Sequence, residues 1–388
     1  MSCPVVKLGD VVSFVGGSQP PKSSFIYEPK EGYVRLLQIR DYKSDKNLTY
    51  IKEDSTKKFC TKHDVMIGRY GPPVFQILKG LEGAYNVALM KAKPSEKVDK
   101  DYLYHFLKQD KLFRLIDGLS QRTAGQSGVD MDALKDYPML LPPLNEQKRI
   151  VTILDKADAI RRKRQQGINL ADDFLRSVFL DMFGDPVTNP KGWDVKSLKE
   201  LTNKLGSGST PRGGKEAYIE QGISLIRSLN VHDNKFVHKN LAFISDEQAE
   251  KLKNVIIEKD DLLLNITGAS VCRAALVDND ILPARVNQHV CIVRTKPEKV
   301  LPIFIARLIT SSSYKQKIMS IASAGGATRE ALTKLQVESL DVIVPPIGVQ
   351  ERFESIVQST LQLLQRAKNQ SHQPLFESLS QKAFSGEL

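Results

Sequence analysis

A few short stretches hold residue types that could do bond chemistry. The pairs Pro142-Pro143 and Pro345-Pro346 invite comparison with the Asn/Asp-Pro-Pro-aromatic loop of amino-methyltransferases. Here Leu141 and Val344 precede the prolines, and Leu144 and Ile347 follow them. No polar group stands ready to accept from an exocyclic amine, and no glycine-rich S-adenosylmethionine loop follows a strand. Gly213-Gly214-Lys215 looks like the end of a phosphate-binding loop, but Ser209 holds the first glycine position and Glu216 the Ser/Thr position that binds magnesium. Glu28-Pro29-Lys30 has a nuclease-like Glu-x-Lys, with no upstream Pro-Asp. The six histidines show no HxxxH or HExxH spacing. The four cysteines, Cys3, Cys60, Cys272 and Cys291, show no CxxC. No catalytic set and no metal site is therefore expected, and a disulfide framework is excluded in favour of a reducing cytoplasm.

Binding residues are better represented. The net charge of +11, from 56 basic and 45 acidic residues, points to a polyanionic partner. The loops Gly16 to Lys22, with Ser18 and Lys22, and Gly206 to Arg212, with Ser209, Thr210 and Arg212, combine small polar residues with a base. Such loops let backbone N–H groups approach phosphates. Arg122 and Gln126 in one half of the chain face Thr328 and Arg329 in the other; Arg and Gln make paired hydrogen bonds to guanine and adenine. Arg69, Tyr70, Asn265, Thr267 and Arg273 fall on loops after strand-like runs, and Arg40, Arg227 and Asn230 at or near the ends of others. Taken singly, the glycine loops read equally well as ordinary turns, and each of the other residues reads more readily as a solvated surface residue. What singles the set out is that it recurs at corresponding places while its residue types differ.

Those corresponding places come from an internal repeat. Leu141-Pro142-Pro143-Leu144-Asn145-Glu146-Gln147-Lys148-Arg149-Ile150 is echoed by Val344-Pro345-Pro346-Ile347-Gly348-Val349-Gln350-Glu351-Arg352-Phe353, with Pro142 and Pro345 203 positions apart. Upstream, Gly16-Gly17-Ser18 pairs with Gly206-Ser207-Gly208, Leu36 with Ile226, Ile39 with Leu229, Asp64 to Ile67 with Asp261 to Leu264, and Val87 to Met90 with Val290 to Val293. The chain thus divides into a globular lobe (1–144), a long helix (145–185), a proline-rich linker (186–192), a second lobe (193–346) and a second long helix (347–388). The lobes mix strands such as Tyr33 to Ile39 with helices such as Asp101 to Leu115, an α+β class with sheet order unreadable.

The double prolines force an extended residue before them and allow a helix to begin at about Asn145, a good N-cap. Apolar or small residues then fall at Ile150, Ile153, Ala157, Ile160, Ala171, Phe174 and Val178, and Leu154, Ile168, Leu175 and Met182 widen the stripe. In the second copy they fall at Phe353, Ile356, Val357, Leu361 and Leu364, with a break at Pro374 and recovery at Phe376, Leu379 and Phe384. A rod of roughly 55 Å overhangs any one small domain. The economical arrangement is an antiparallel coiled coil of the two copies within one chain; the alternative is two surface helices, each on its own lobe. Arg161-Arg162-Lys163-Arg164 spreads about 300° around the rod, so it cannot face one partner as a block. No apolar run approaches the ~18 residues of a membrane span, and a cytoplasmic location is expected.

With these motifs the chain resembles the specificity subunits of type I restriction-modification systems, over essentially its whole length. The resemblance rests on the two-fold repeat, the Leu141 to Ile150 motif with its echo, and the tail Phe384-Ser385-Gly386-Glu387-Leu388. It implies two target recognition domains, each reading half of a bipartite DNA site, on a pseudo-two-fold scaffold. It implies that the helices set the spacing and dock two modification subunits, with Gln147, Arg149, Arg161, Arg162, Gln350 and Arg352 as candidate docking residues. S-adenosylmethionine, and ATP with magnesium for restriction, would sit on partner subunits, and this chain would bind no cofactor. Gly348-Val349 in place of Asn145-Glu146 departs from the first copy and leaves the second helix start less well capped. A free-standing DNA-binding regulator and a self-sufficient methyltransferase or nuclease are the alternatives.

Overall fold

The computed structural model describes residues 3–71, 73–120, 128–211, 213–324, 330–369 and 375–388. It divides into two compact units, one made of residues 1–165 and 368–388, the other of residues 166–367.

In the first unit a four-stranded antiparallel sheet runs in the order Val12–Gly16, Leu89–Pro94, Val65–Gly68, Gln76–Leu78. In the second the same order is Thr202–Ser207, Val290–Thr295, Leu262–Asn265, Ala274–Leu276. Beside each lies a mixed sheet built on one parallel pair: Tyr33–Leu37 with Gly83–Tyr85 in the first unit, and Ile223–Ile226 with Ala284–Val286 in the second. A third, short pairing joins each lobe's first strand to the strand before its double proline, Val5–Lys7 to Pro138–Leu140 and Asp194–Ser197 to Asp341–Val344. The two halves share one mixed helix-and-sheet topology.

The central strands are unbroken apolar runs because both of their faces are covered. Val65 and Ile67 enter one core of the first unit while Met66 enters another. Leu262 and Leu264 enter one core of the second unit and Leu263 another. Such runs lack the alternation that marks register, and four of the expected pairings between copies are out by one or two residues. Gly17 corresponds to Gly208 and Ile39 to Ser228, each one residue from the expected match. Leu37, not Leu36, corresponds to Ile226: the carbonyls of Leu37 and Ile226 accept from Asn86 N and Asn287 N at 3.1 Å each. Leu89, not Val87, corresponds to the first residue of the Val290 strand, since Leu89 pairs with Gly68 and Val290 with Asn265.

The long helix runs Leu144–Phe183. Gln147, expected on a docking surface, is instead fully buried. Its Oε1 accepts from Asp99 N at 2.8 Å, and its Nε2 donates to the carbonyls of Lys97 and Pro142, both at 2.8 Å. Gln350 is buried in the same way: Oε1 accepts from Leu301 N at 2.9 Å and Nε2 donates to Lys299 O and Pro345 O at 3.3 and 2.7 Å. Each amide satisfies three backbone groups, the carbonyl of Pro142 or Pro345 in a buried contact and the other two in part-buried ones. It locks the helix start to the turn before a lobe helix, Lys100–Leu107 or Pro302–Thr310.

Further along, Ile150, Leu154 and Ala157 are buried in the first unit and Leu175, Phe179 and Phe183 in the second. Phe174 and Ile160 were expected in the stripe, but they are 51% and 49% exposed. The covered positions Leu154 and Ala157, then after a step of seven Arg164, Ile168, Ala171, Leu175, Val178 and Met182, follow steps of three and four, and Phe174 falls one residue off them. In the second unit Phe183 and Phe353, on helix Ile347–Asn369, stand 5.3 Å apart between ring centres. In the first, helix Leu375–Ser385 packs Phe384 against Tyr102 and Phe106, both at 5.4 Å. There Arg149 Nη1 donates to Leu388 O at 3.5 Å and Arg161 lies 5.4 Å over the Phe376 ring, so the two segments run in opposite directions. The break expected at Pro374 lies outside the described residues.

Candidate nucleic-acid interface

At one end of the second unit, loops from different strands converge on a depression of about 640 Å³. Its lining includes Ser228 and Leu229 after the Ile223–Ile226 strand, Thr267, Ser270 and Arg273 after Leu262–Asn265, His289 ahead of Val290–Thr295, and Glu330. The backbone ties these loops together. Gly268 N donates to Glu330 O at 2.8 Å, Ile266 N to His289 O at 3.0 Å, and Thr267 bridges to Ala331. The Gly206 loop is pinned beside them by Gly208, where an added Cβ would stand 1.8 Å from Val286 O. Gly17 does the same in the first unit, 2.0 Å from Asn86 O. Only glycine permits such backbone-on-backbone contact.

The first unit builds the equivalent framework: Arg69 N donates to Ala88 O at 2.8 Å, Val129 N to Arg69 O at 3.2 Å, and Tyr70 bridges to Gly128. The Arg69 guanidinium lies 5.2 Å from the centre of the Tyr70 ring, both half-buried. Ser18 hydrogen-bonds Thr56 at 2.6 Å, and Lys22 and Arg40 are exposed, with Arg40 reaching Asn47 O at 3.3 Å. In the second unit Ser209 is exposed, Thr210 bonds Gln288, and Arg227 lies 5.2 Å over Tyr218 while donating to Asn240 O. Arg122, Gln126, Arg212, Thr328 and Arg329 lie outside the described residues.

Two candidates cannot reach a ligand as expected. Asn230 and Asn265 are fully buried. Asn230 accepts from Arg227 N at 3.1 Å and donates to Val237 O and Lys239 O at 2.9 and 3.3 Å. Asn265 donates to Ser228 O at 2.9 Å. Both tie neighbouring loop carbonyls in place through hydrogen bonds from their buried amides. In the first unit Asp41 takes the place of Asn230, accepting from Gln38 N at 2.9 Å. On the helices, Arg149 pairs with Glu146 at 2.6 Å, and Arg161 and Arg162 both pair with Asp158, at 2.7 and 3.3 Å. Burial pushes the Asp158 carboxyl up, but the two arginines outweigh it and hold it below the ordinary carboxylate range. Arg352 is exposed.

The two lobes match one family description twice, Type I restriction modification DNA specificity domain, over residues 3–170 and 190–371. The chain belongs to that family. Among relatives of this specificity family it is 23% identical to the type I restriction enzyme MjaVIII specificity subunit of Methanocaldococcus jannaschii, over 82% of this chain and 76% of that one. It is 25% identical to the type I restriction enzyme EcoBI specificity subunit of Escherichia coli, over 95% of this chain and 82% of that one. The crystal structure of the type I restriction-modification S subunit from M. genitalium shares the fold, with a TM-score of 0.58 over 99% of this chain and 96% of that one, at 15% identity. Among the described residues no helix is long and apolar enough to cross a membrane, and no group of three or more His, Cys, Asp or Glu could hold a metal ion.

Within this specificity fold, Ser228, Ser270, Gln288, His289 and Glu330 line or border the depression without having been picked out from sequence. One signal was available: the polar triplet Asn287-Gln288-His289 stands directly before a buried apolar strand, where the chain leaves the edge strand Ala284–Val286 of one sheet and enters the other.

Proposed function

We propose that this chain chooses the DNA sequence for a type I restriction-modification complex and does no bond chemistry itself. Residues 1–144 and 193–346 are two target recognition domains, each meeting one half of a bipartite, asymmetric site in double-stranded DNA. The helices at 145–185 and 347–388, the first of them followed by the linker 186–192 into the second lobe, pair as an antiparallel intramolecular coiled coil. They set the spacing of the two half-sites, on the order of one helical turn (~34 Å) of DNA, and dock two methyltransferase subunits. Those partners hold S-adenosylmethionine and methylate adenine; restriction subunits, where present, add ATP-driven cleavage. The assembly works in the cytoplasm.

The observation that carries this reading is a common framework with unlike loop residues. The clamps repeat: Gln147 with Gln350, Gly17 with Gly208, Asn86 with Asn287. The side chains these clamps present do not repeat: Tyr70 stands where Thr267 does, and Val87 and Ala88 where Gln288 and His289 do. Two readers of one sequence would match at those positions; readers of different half-sites would not. Exchange of residues 1–140 for those of another family member, followed by genome-wide mapping of methylated adenines, is expected to change one half of the site only. A change in both halves would sink the reading.

A further inference from the structure

The hydrogen bonds at the rim of the second unit's depression have a direction. Thr210 Oγ1 donates to Gln288 Oε1. The other end of that amide, Nε2, lies 3.2 Å from His289 Nε2. An amide nitrogen only donates, so His289 Nε2 accepts and the single ring proton sits on Nδ1. Nδ1 stands 2.5 Å from Thr267 Oγ1, which therefore receives a proton rather than giving one. A threonine hydroxyl has one proton and two lone pairs. Thr267 keeps its own proton for whatever enters the depression. Thr210 has committed its proton to Gln288 and offers only lone pairs. The reverse arrangement is also self-consistent, but it requires the amide to turn over and the ring proton to move together; turning the amide alone sets acceptor against acceptor, and moving the proton alone sets donor against donor.

We propose that Thr210, Gln288, His289 and Thr267 form a polarised relay that makes Thr267 a donor and Thr210 an acceptor towards the bases met by the second unit. The inference rests on the DNA-reading function proposed above and deepens it. A base edge facing Thr267 must offer an acceptor: a purine N7, guanine O6 or thymine O4. One facing Thr210 must offer the amino group of adenine or cytosine. Gln288 and His289 are positioning residues, held by Asn287, whose Oδ1 accepts from His289 N at 3.0 Å. The first unit has no such relay, because Asn86 makes the same turn, accepting from Ala88 N at 3.1 Å, but is followed by Val87 and Ala88.

Two measurements on the full chain test this. In the first, histidine labelled with nitrogen-15 reports the tautomer, the His289 signals being assigned by their loss in His289→Gln. The expected pattern at neutral pH is a protonated Nδ1 and a bare Nε2; the opposite tautomer, or an even mixture, overturns the polarity. In the second, the full chain and its Thr267→Val and Thr210→Val variants each select from a random duplex library. Each variant, which keeps the side-chain shape and loses one hydroxyl, is expected to relax preference about tenfold at one position of one half-site, leaving the other half unchanged. Selection of an unaltered site by both variants overturns the relay while DNA reading stands. If the wild-type chain selects no sequence at all, the DNA-reading function fails and the relay's role falls with it.

Discussion

Asp64 and Asp41 sit in opposite settings within the first unit. Burial pushes the Asp64 carboxyl up, but the Lys100 ammonium, the Thr61 N–H and Lys91 outweigh it and hold it at about 2. Its folded value lies below its ordinary one of 3.8, so its contribution is complete above that pH and is lost as pH falls through about 2. The gap corresponds to about 2 kcal/mol at neutral pH. Asp64→Asn is expected to lower the neutral-pH stability by that order and to flatten the acid limb of a plot of urea midpoint against pH. Asp41 is the reverse case. Burial raises its carboxyl against the lowering effects of Gln38 N and of Arg35 and Arg40, and its Oδ1 has no hydrogen-bond partner. A raised value favours the folded state in acid and penalises it as pH climbs through the folded value. Asp41→Asn, which installs the residue found at the matching Asn230, is expected to raise the melting temperature at pH 7 and to leave it unchanged near pH 3. An equal gain at both pH values would show that ionisation is not the cause.

At the scale of elements, the glutamine that locks each long helix to its lobe is the most sensitive feature. Gln147→Leu leaves Lys97 O, Pro142 O and Asp99 N without their partner in a buried site. A loss of about 1–3 kcal/mol is expected for each group left unsatisfied, moderated by relaxation of the turn. Hydrogen exchange should locate the loosening at the Asp99 turn and the first turns of the helix; protection unchanged there would count against the clamp. The long helix itself is legible in the sequence because proline punctuation and three-four spacing are local signals. Strand register is not, because runs such as Leu262 to Leu264 are buried on both faces and look alike when slid by one. The buried amides mislead for a different reason. A polar residue type reports hydrogen-bonding capacity, not exposure, so Gln147, Gln350, Asn230 and Asn265 look like surface groups. Recurrence separates the roles: Gln147 and Gln350 are identical in both copies because they do the same structural job. Tyr70 and Thr267 share a framework position and differ in type. The residues most useful for reading the fold are thus those that repeat, and those most useful for reading a ligand are those that do not.

At the scale of the whole molecule, the excess of positive charge makes the proposed association dependent on ionic strength. Each phosphate contact contributes about −0.9 to the slope of log K against log salt for duplex DNA. Lys22→Ala, at an exposed position of the first lobe's glycine loop, is expected to make that slope shallower by about 0.9 without changing the preferred sequence. Fluorescence titration of a labelled duplex over a range of salt measures it. A changed sequence preference at constant slope would make Lys22 a base reader instead.

The first unit draws its aromatic packing from residues far apart in the chain: Tyr102 and Phe106 are met by Phe384, and Ala383 is buried in the same core. A ribosome making this protein therefore releases the first lobe long before it supplies the segment that closes it. Until residues 376–388 are translated, that lobe exposes the apolar surface which Phe376 to Leu388 later covers. A chain cut short before the helix Leu375–Ser385 would keep that surface open, a mark by which chaperones and proteases can recognise the truncated copy.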